Sequence, residues 1–287
     1  MTGRYNQEYI SSRVEGILPK AKKSLGQNFL QDANIAKKIV RALNISHNDS
    51  VVEIGPGPGA LTGVIQACSP ARLVLIEKDS RFARERMREN RTGPGFFSVI
   101  LADALTIPWE RFTEPWKCIG NLPYNVASPL MWEIFSRARG FERVVFMVQK
   151  EVGLRITARP DSSAYGALSV WVQSFVRPKL EFIVPPQVFR PRPKVDSSVL
   201  SFEPLEKNGQ GQNAVFGGGG FSPECLSRTL KICFQMRRKQ LGSILRAHGI
   251  NLNVLEDLGI DPQLRPENLP PTSFHRLSRA MFFTRND

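Results

Sequence analysis

The pentapeptide Gly55-Pro56-Gly57-Pro58-Gly59 constrains this chain more than any other stretch. It follows the apolar run Val51 to Ile54 and leads into a helical segment, about Ala60 to Cys68. A strand that turns through glycines into a helix brings backbone close to a ligand, and the free N–H groups and positive dipole of the helix start favour a carboxylate or phosphate. A second strand, Arg72 to Ile76, ends in Glu77-Lys78-Asp79. That carboxylate lies about twenty residues past the loop, the place for an acceptor of ribose hydroxyls. The pattern predicts an α/β fold. No Lys-Ser or Lys-Thr follows the last glycine, which excludes a P-loop. Gly55-x-Gly57-x-x-Ala60 with Glu77 also satisfies the dinucleotide fingerprint, so at this point NAD and other adenosine cofactors are both open.

The same arrangement repeats along the chain. A helix around Arg81 to Asn90 leads to a third strand, Phe97 to Leu101, which ends in Ala102-Asp103-Ala104. There a carboxylate can accept from a cofactor's adenine amine or cap a helix. The fourth strand, Trp116 to Ile119, opens into Gly120-Asn121-Leu122-Pro123-Tyr124-Asn125. The exocyclic nitrogen of adenine is a poor nucleophile, because its lone pair is delocalised into the ring. An enzyme that alkylates it must hold its two N–H bonds in acceptors, and an Asn121 side-chain oxygen with a backbone carbonyl in the Leu122-Pro123 segment can serve. Pro123 biases Leu122 to extended geometry, and Tyr124 offers a flat face for an unstacked base. Ligands of open α/β sheets bind outside the carboxyl ends of the strands. The glycine loop, Glu77, Asp103 and Asn121 all fall at such ends, which predicts one shared site.

Beyond it the sequence predicts a helix over Pro129 to Phe135, a fifth strand over Arg143 to Val148 and a helix over Glu151 to Ala158. Strands follow over Ala167 to Val176, Leu180 to Val184 and Ser197 to Phe202, all rich in Val, Phe and Leu. Between the last two lies a stiff proline-rich loop, 185–196, in which Phe189 is either a second stacking platform opposite Tyr124 or a core anchor. Residues 207–222 form a glycine-rich linker. Past it, Ser222-Pro223-Glu224 caps a helix with Leu226, Leu230 and Cys233 on one face. Leu241, Ile244 and Leu245 make the next apolar stripe, and short helices over Leu252 to Leu258 and Thr272 to Phe282 close the chain.

Charge and composition narrow the partners. The 287 residues carry a net +13, yet residues 25–136, which hold the motifs, carry only +1. The flanks supply the rest, an arrangement that frames a small-molecule pocket with surfaces for a polyanion. Arg237-Arg238-Lys239 is either a phosphate contact or a solvated face. No apolar run approaches the ~18 residues of a membrane span, and the N-terminal cations are followed by no signal-like apolar region. Four scattered cysteines without a CxxC pair imply reduced thiols, no zinc and a cytoplasmic protein.

Together these segments resemble the Rossmann-like, S-adenosylmethionine-dependent ribosomal RNA adenine dimethyltransferases, in particular the small-subunit N6,N6 branch. The resemblance rests on Leu-Gly-Gln-Asn-Phe-Leu at 25–30, Val-Glu-Ile-Gly-Pro-Gly at 52–57, Ile-Glu-Lys-Asp at 76–79, Asp103-Ala104 and Asn121-Leu122-Pro123-Tyr124-Asn125. It extends through Tyr165-Gly166-Ala167-Leu168-Ser169-Val170, the stretch Pro191 to Ser197, and Arg237-Arg238-Lys239. It implies a class I methyltransferase domain at 25–206, a basic arm at 1–24 and a small helical RNA-binding domain at 223–287. The resemblance further implies that Asn28, Leu30 and Gly55 contact the cofactor, that Glu77 holds its ribose and Asp103 its adenine amine, and that Asn121 serves both the sulfonium side and the target amine. Leu122, Pro123, Tyr124 and Phe189 would complete the catalytic pocket, with no metal. Neither Asp103 nor the Asn121 loop has a role in hydride transfer, so the resemblance removes NAD. The substrate it implies is a pair of adjacent adenosines near the 3′ end of small-subunit rRNA, in a pre-30S particle met by a monomeric enzyme. A non-catalytic RNA-binding assembly factor and a large-subunit, antibiotic-resistance methyltransferase are the alternatives.

Overall fold

The computed structural model describes residues 20–92, 97–205 and 221–282, apart from the side chains of Lys23, Arg91, Thr92 and Tyr124. Most of the arm expected at 1–24 and of the linker expected at 207–222 lies outside the described residues. The chain divides into two compact units, Met1–Gly153 with Lys179–Glu203, and Leu154–Pro178 with Pro204–Asp287. Residues 154–178, placed with the first domain in the sequence reading, therefore pack with the C-terminal helices. Distant hydrophobic partners decide that grouping, and chain order does not reveal them.

The first unit begins with a two-residue strand β1 (Phe29–Leu30) and helix α1 (Ala33–Leu43). Asp32 starts α1 by accepting from the N–H groups of Asn34 and Ile35, at 2.8 and 3.0 Å. The helix buries Ala36, Ile39, Val40 and Leu43 in a core shared with Val51, Leu75, Ile119 and Val145. Burying an Ile, Val or Leu side chain contributes roughly 1.5–3 kcal/mol. Then come β2 (Ser50–Ile54), α2 (Thr62–Ala67), β3 (Arg72–Glu77), α3 (Ser80–Thr92), β4 (Ser98–Leu101), β5 (Trp116–Asn121), α4 (Tyr124–Arg137) and β6 (Phe141–Gln149). The predicted helix at Pro129 starts a turn earlier, at Tyr124. The carbonyl that would have accepted from position 129 belongs to Asn125, an exposed residue, so the proline is tolerated there.

A seven-stranded sheet has the order β4-β3-β2-β5-β6-β9-β7, where β7 is Val176–Val184 and β9 is Ser197–Pro204. The first five are parallel to their neighbours and β9 runs antiparallel to β6. From β2 the chain steps outward to β3 and β4, then returns to β5 on the other side of β2. The connections leaving β2 and β5 thus diverge, and this topological switch point opens a crevice beyond the ends of those strands. Gly120, paired with Ile54 at that point, admits no larger residue. A Cβ on it would lie 2.9 Å from the Ile54 carbonyl oxygen and 2.9 Å from a Leu122 methyl. The proline-rich loop contributes a short strand, β8 (Phe189–Arg190), which pairs antiparallel with β1, Leu30 opposite Phe189.

The second unit contains α6 (Ala167–Gln173), which follows α5 (Lys150–Ile156), and then α7 (Pro223–Gln235), α8 (Leu241–Ala247), α9 (Asn253–Asp257) and α10 (Pro271–Phe282). The segment Ala167 to Val176 was expected as a strand; it is mostly helix. Its Val, Trp and Phe content mimics a strand, but Ser169, Val170, Trp171 and Val172 are all buried, with α6 against α7 and α10. Ser174 Oγ returns a hydrogen bond to the Val170 carbonyl at 2.7 Å, a local bond only a helical turn permits. Tyr165 donates its hydroxyl to the Leu269 carbonyl at 2.9 Å. Leu226, Leu230, Cys233, Leu241, Ile244 and Leu245 are all buried, as the stripes predict. Among the described residues no helix is long and apolar enough to cross a membrane.

Candidate active site

The ends of β2, β3, β4 and β5 and the segment before β1 line a single cleft. Asn28, Leu30, Gly55, Glu77, Asp103, Asn121, Leu122, Pro123 and Phe189 all face it, although they come from distant parts of the sequence. Tyr124 heads α4, and its side chain lies outside the described residues.

The glycine turn is shaped by its backbone. Gly55 and Gly57 take φ of +68° and +51°, a region L side chains rarely enter. That fold brings the Gly57 N–H to 3.0 Å from Glu77 Oε2, while the Asp79 N–H reaches Oε1 at 2.7 Å. Glu77 is 5% exposed and fixed at both oxygens, each with a further lone pair for a ligand hydroxyl. Burial pushes its carboxyl above the ordinary range in spite of the two bonds. Asp103 caps a short turn, accepting from the Leu105 N–H at 3.1 Å, and pairs with Lys78 at 2.6 Å. That cation holds its carboxyl below the ordinary range. Asp103 thus caps this turn and lines the cleft with the same side chain.

Asn121 ends β5. Its Nδ2 donates to the backbone oxygen of Asn28 at 3.1 Å, which fixes the amide and turns its oxygen away from that carbonyl. Asn28 in turn donates its own amide to the Gly26 carbonyl at 3.2 Å. The Leu122 N–H donates to the Met147 carbonyl at 3.2 Å, which pins the start of the loop to β6. Phe189 is 5% exposed and belongs to the core cluster while still reaching the cleft. It is thus an anchored loop phenylalanine that also lines the site.

Two cleft residues stood inside quoted motifs without a role of their own. Glu53 is 1% exposed, lines the cleft and accepts from Thr62 Oγ1 at 2.7 Å. Burial drives its carboxyl up to about 7, against the Thr62 bond and the charge of Arg86. The signal was available, since a glutamate inside the buried parallel run Val51 to Ile54 is out of place unless the site needs it. Gln27 also lines the cleft, and its amide donates to Asp79 at 3.1 Å.

The cleft is carboxylate-rich. Glu53, Glu77 and Asp103 line it, and among the described residues its one lysine, Lys78, is committed to Asp103. Such a lining offers oxygen acceptors and suits a cofactor that brings hydroxyls and an amine. Among the described residues no histidine lines it; His275 instead meets Ser174 Oγ in the second unit.

A glycine turn, an acid after each of the next two strands and an Asn-Leu-Pro-Tyr loop after the fourth, all at one switch point of this sheet, define a Rossmann-like, class I methyltransferase. Methyltransferases of this class imply S-adenosylmethionine as methyl donor. The chain belongs to the ribosomal RNA adenine dimethylase family, whose family model matches residues 18–281. It is 55% identical over 267 residues to the Ribosomal RNA small subunit methyltransferase A of Oleidesulfovibrio alaskensis, with 92% of each chain covered. Among solved structures it resembles a dimethyladenosine transferase from Plasmodium falciparum, at 27% identity and a TM-score of 0.72, over 87% of this chain and 95% of that one. It shares its fold with the 23S rRNA methyltransferase ErmE, at 22% identity and a TM-score of 0.64, over 88% and 99% of the two chains.

Proposed function

We propose that the chain dimethylates N6 of two adjacent adenosines near the 3′ end of small-subunit rRNA, acting as a cytoplasmic monomer on an assembling pre-30S particle. The observation that carries this reading is the Asn121 amide, held by the Asn28 carbonyl on the same cleft as Glu77 and Asp103. In this assignment Glu77 accepts from the cofactor's ribose hydroxyls, Asp103 from its adenine amine, and Asn28, Leu30 and Gly55 contact the rest. The glycine turn leaves room for it, since nothing lies within 4 Å of where a Gly55 Cβ would sit. Bound S-adenosylmethionine supplies a methyl group activated by a positively charged sulfur.

The protein's own residues do the rest by position. The Asn121 oxygen and a carbonyl of Leu122 or Pro123 take the two N–H bonds of the target adenine, and Tyr124 and Phe189 support its ring. Two acceptors localise the nitrogen lone pair and aim it, so alignment replaces a strong base. The proton released after transfer goes to solvent. Outside the cleft, Arg238, Lys239 and Arg265 surround a polar concavity of the second unit and are assigned to rRNA phosphates. Arg237, by contrast, is tied to Glu267 at 2.8 Å and to the Ser163 carbonyl at 3.2 Å.

Incubating the protein with labelled S-adenosylmethionine and small subunits lacking the modification tests the reading. Dimethyladenosine in two neighbouring small-subunit positions is expected, with Asn121→Ala losing it while still binding the particle. Full function of Asn121→Ala would mark a pure assembly factor, and label in large-subunit rRNA would mark the antibiotic-resistance branch.

A further inference from the structure

Asp79 closes the Ile-Glu-Lys-Asp motif, and no step above uses it. It is 1% exposed, yet five donor groups converge on its carboxylate. Lys22 Nζ lies 3.2 Å from Oδ1 and Gln27 Nε2 3.1 Å from Oδ2. Arg81 adds Nε at 3.1 Å, a terminal guanidinium nitrogen at 2.7 Å and its backbone N–H at 3.1 Å. The Arg81 bonds, with those of Gln27 and Lys22, hold this carboxyl well below the ordinary range.

Two of these donors come from 57 and 52 residues away, from the segment that enters the fold before β1. That segment is folded on itself: Gln27 Oε1 accepts from the Lys22 N–H at 2.8 Å, and the Leu25 N–H reaches the Lys22 carbonyl at 3.1 Å. Arg81 also donates to the Lys20 carbonyl at 3.0 Å. These ties from 20–27 therefore end on Asp79 and Arg81, at the turn from β3 into α3. The same segment supplies Leu25, Gly26, Gln27 and Asn28 to the cleft wall, and the Asn28 carbonyl orients the Asn121 amide.

We propose that Asp79 is a positioning residue: it fastens residues 20–28 across the cofactor cleft and, through the Asn28 carbonyl, sets the orientation of Asn121. The proposal rests on the function given above for Asn121 and the cofactor cleft. The acid stands two residues past Glu77, so one short segment carries both the ribose acceptor and the anchor of the wall opposite it. Without the anchor, Phe29 and Leu30 stay paired with β8 while the residues before them come loose.

The test compares wild type, Asp79→Asn, Lys22→Met and Gln27→Met by three readouts. These are amide hydrogen exchange over 20–28, calorimetric affinity for S-adenosylmethionine and for S-adenosylhomocysteine, and kcat at saturating cofactor. Asp79→Asn should raise exchange across 20–28 with β2 and β3 unchanged. It should weaken both ligands about tenfold, about 1.4 kcal/mol, because the cleft wall loses its charge-assisted anchor. kcat should fall as well, because more cofactor does not restore Asn121. Lys22→Met and Gln27→Met, which leave the Asp79–Arg81 pair intact, should each show a milder version; they carry the test if Asp79→Asn does not fold. Exchange and affinity that match wild type in all three variants would overturn the proposal, as would loosening spread evenly over the sheet. If wild type itself binds no S-adenosylmethionine while Asp79→Asn still frees 20–28, the functional reading fails and the anchor stands.

Discussion

Replacing Glu53 by glutamine is expected to stabilise the protein at high pH and to leave it unchanged at low pH. The glutamine keeps an acceptor for Thr62 Oγ1 and the shape of the side chain, and removes only the charge. The carboxyl titrates near 4.5 when unfolded and at about 7 when folded, because burial opposes ionisation. The folded state thus holds a proton that the unfolded state has lost, so stability falls as pH rises from 4.5 to 7 and is flat above. A shift of that size corresponds to about 3 kcal/mol at 1.36 kcal/mol per unit. Urea unfolding of both proteins at pH 4.5, 6, 7 and 8.5 measures it. The two curves should converge at the acid end and separate by about 3 kcal/mol at pH 8.5, with equal m-values. A difference independent of pH would refute the titration argument, and a less stable variant at pH 8.5 would show Glu53 ionised and well satisfied.

Gly120→Ala should destabilise the first unit by about 1–3 kcal/mol and weaken cofactor binding, because its methyl must displace the Ile54 carbonyl on the neighbouring strand; thermal melting and calorimetry read the two effects. Asp103→Ala should reduce S-adenosylmethionine affinity while barely moving the melting temperature, since its ion-pair partner Lys78 is 57% exposed and such pairs contribute about 1 kcal/mol or less. His275 is lowered to about 4 by burial. The unfolded state therefore takes up its proton first, and stability is lost as pH falls from 6.5 towards 4, by up to about 3 kcal/mol. His275→Phe keeps the stack on Phe221 and should make the acid limb of an unfolding titration shallower. Replacing Arg238 and Lys239 with glutamine should weaken RNA binding and reduce the slope of log affinity against log salt by about 2, whatever the RNA sequence.

The ends of the parallel strands were legible because their two kinds of residue are so unlike. Val51, Leu75 and Ile119 must be apolar on both faces, whereas Gly55, Glu77, Asp103 and Asn121 stand where the apolar run stops. Glu53 was legible by the same rule, as a lone carboxylate inside an apolar run, but the apolar run drew the reading to the strand instead of to that residue. α6 was misread because a helix buried on most sides shows no stripe, and its Val and Trp content then points to a strand. Asp79 was visible only as part of a motif. Its partners Lys22 and Gln27 are neighbours in space because β3 ends beside the entry of the chain, a fact of topology absent from any local window.

The second unit is assembled from two separate pieces of chain, with the last part of the sheet encoded between them. Cutting the gene after residue 206 would therefore not release a self-sufficient catalytic fragment. The truncated product would carry α6 without α7 and α10, the helices its buried Val170, Trp171 and Val172 pack with. A fragment like that exposes a sticky helix and should precipitate or be degraded.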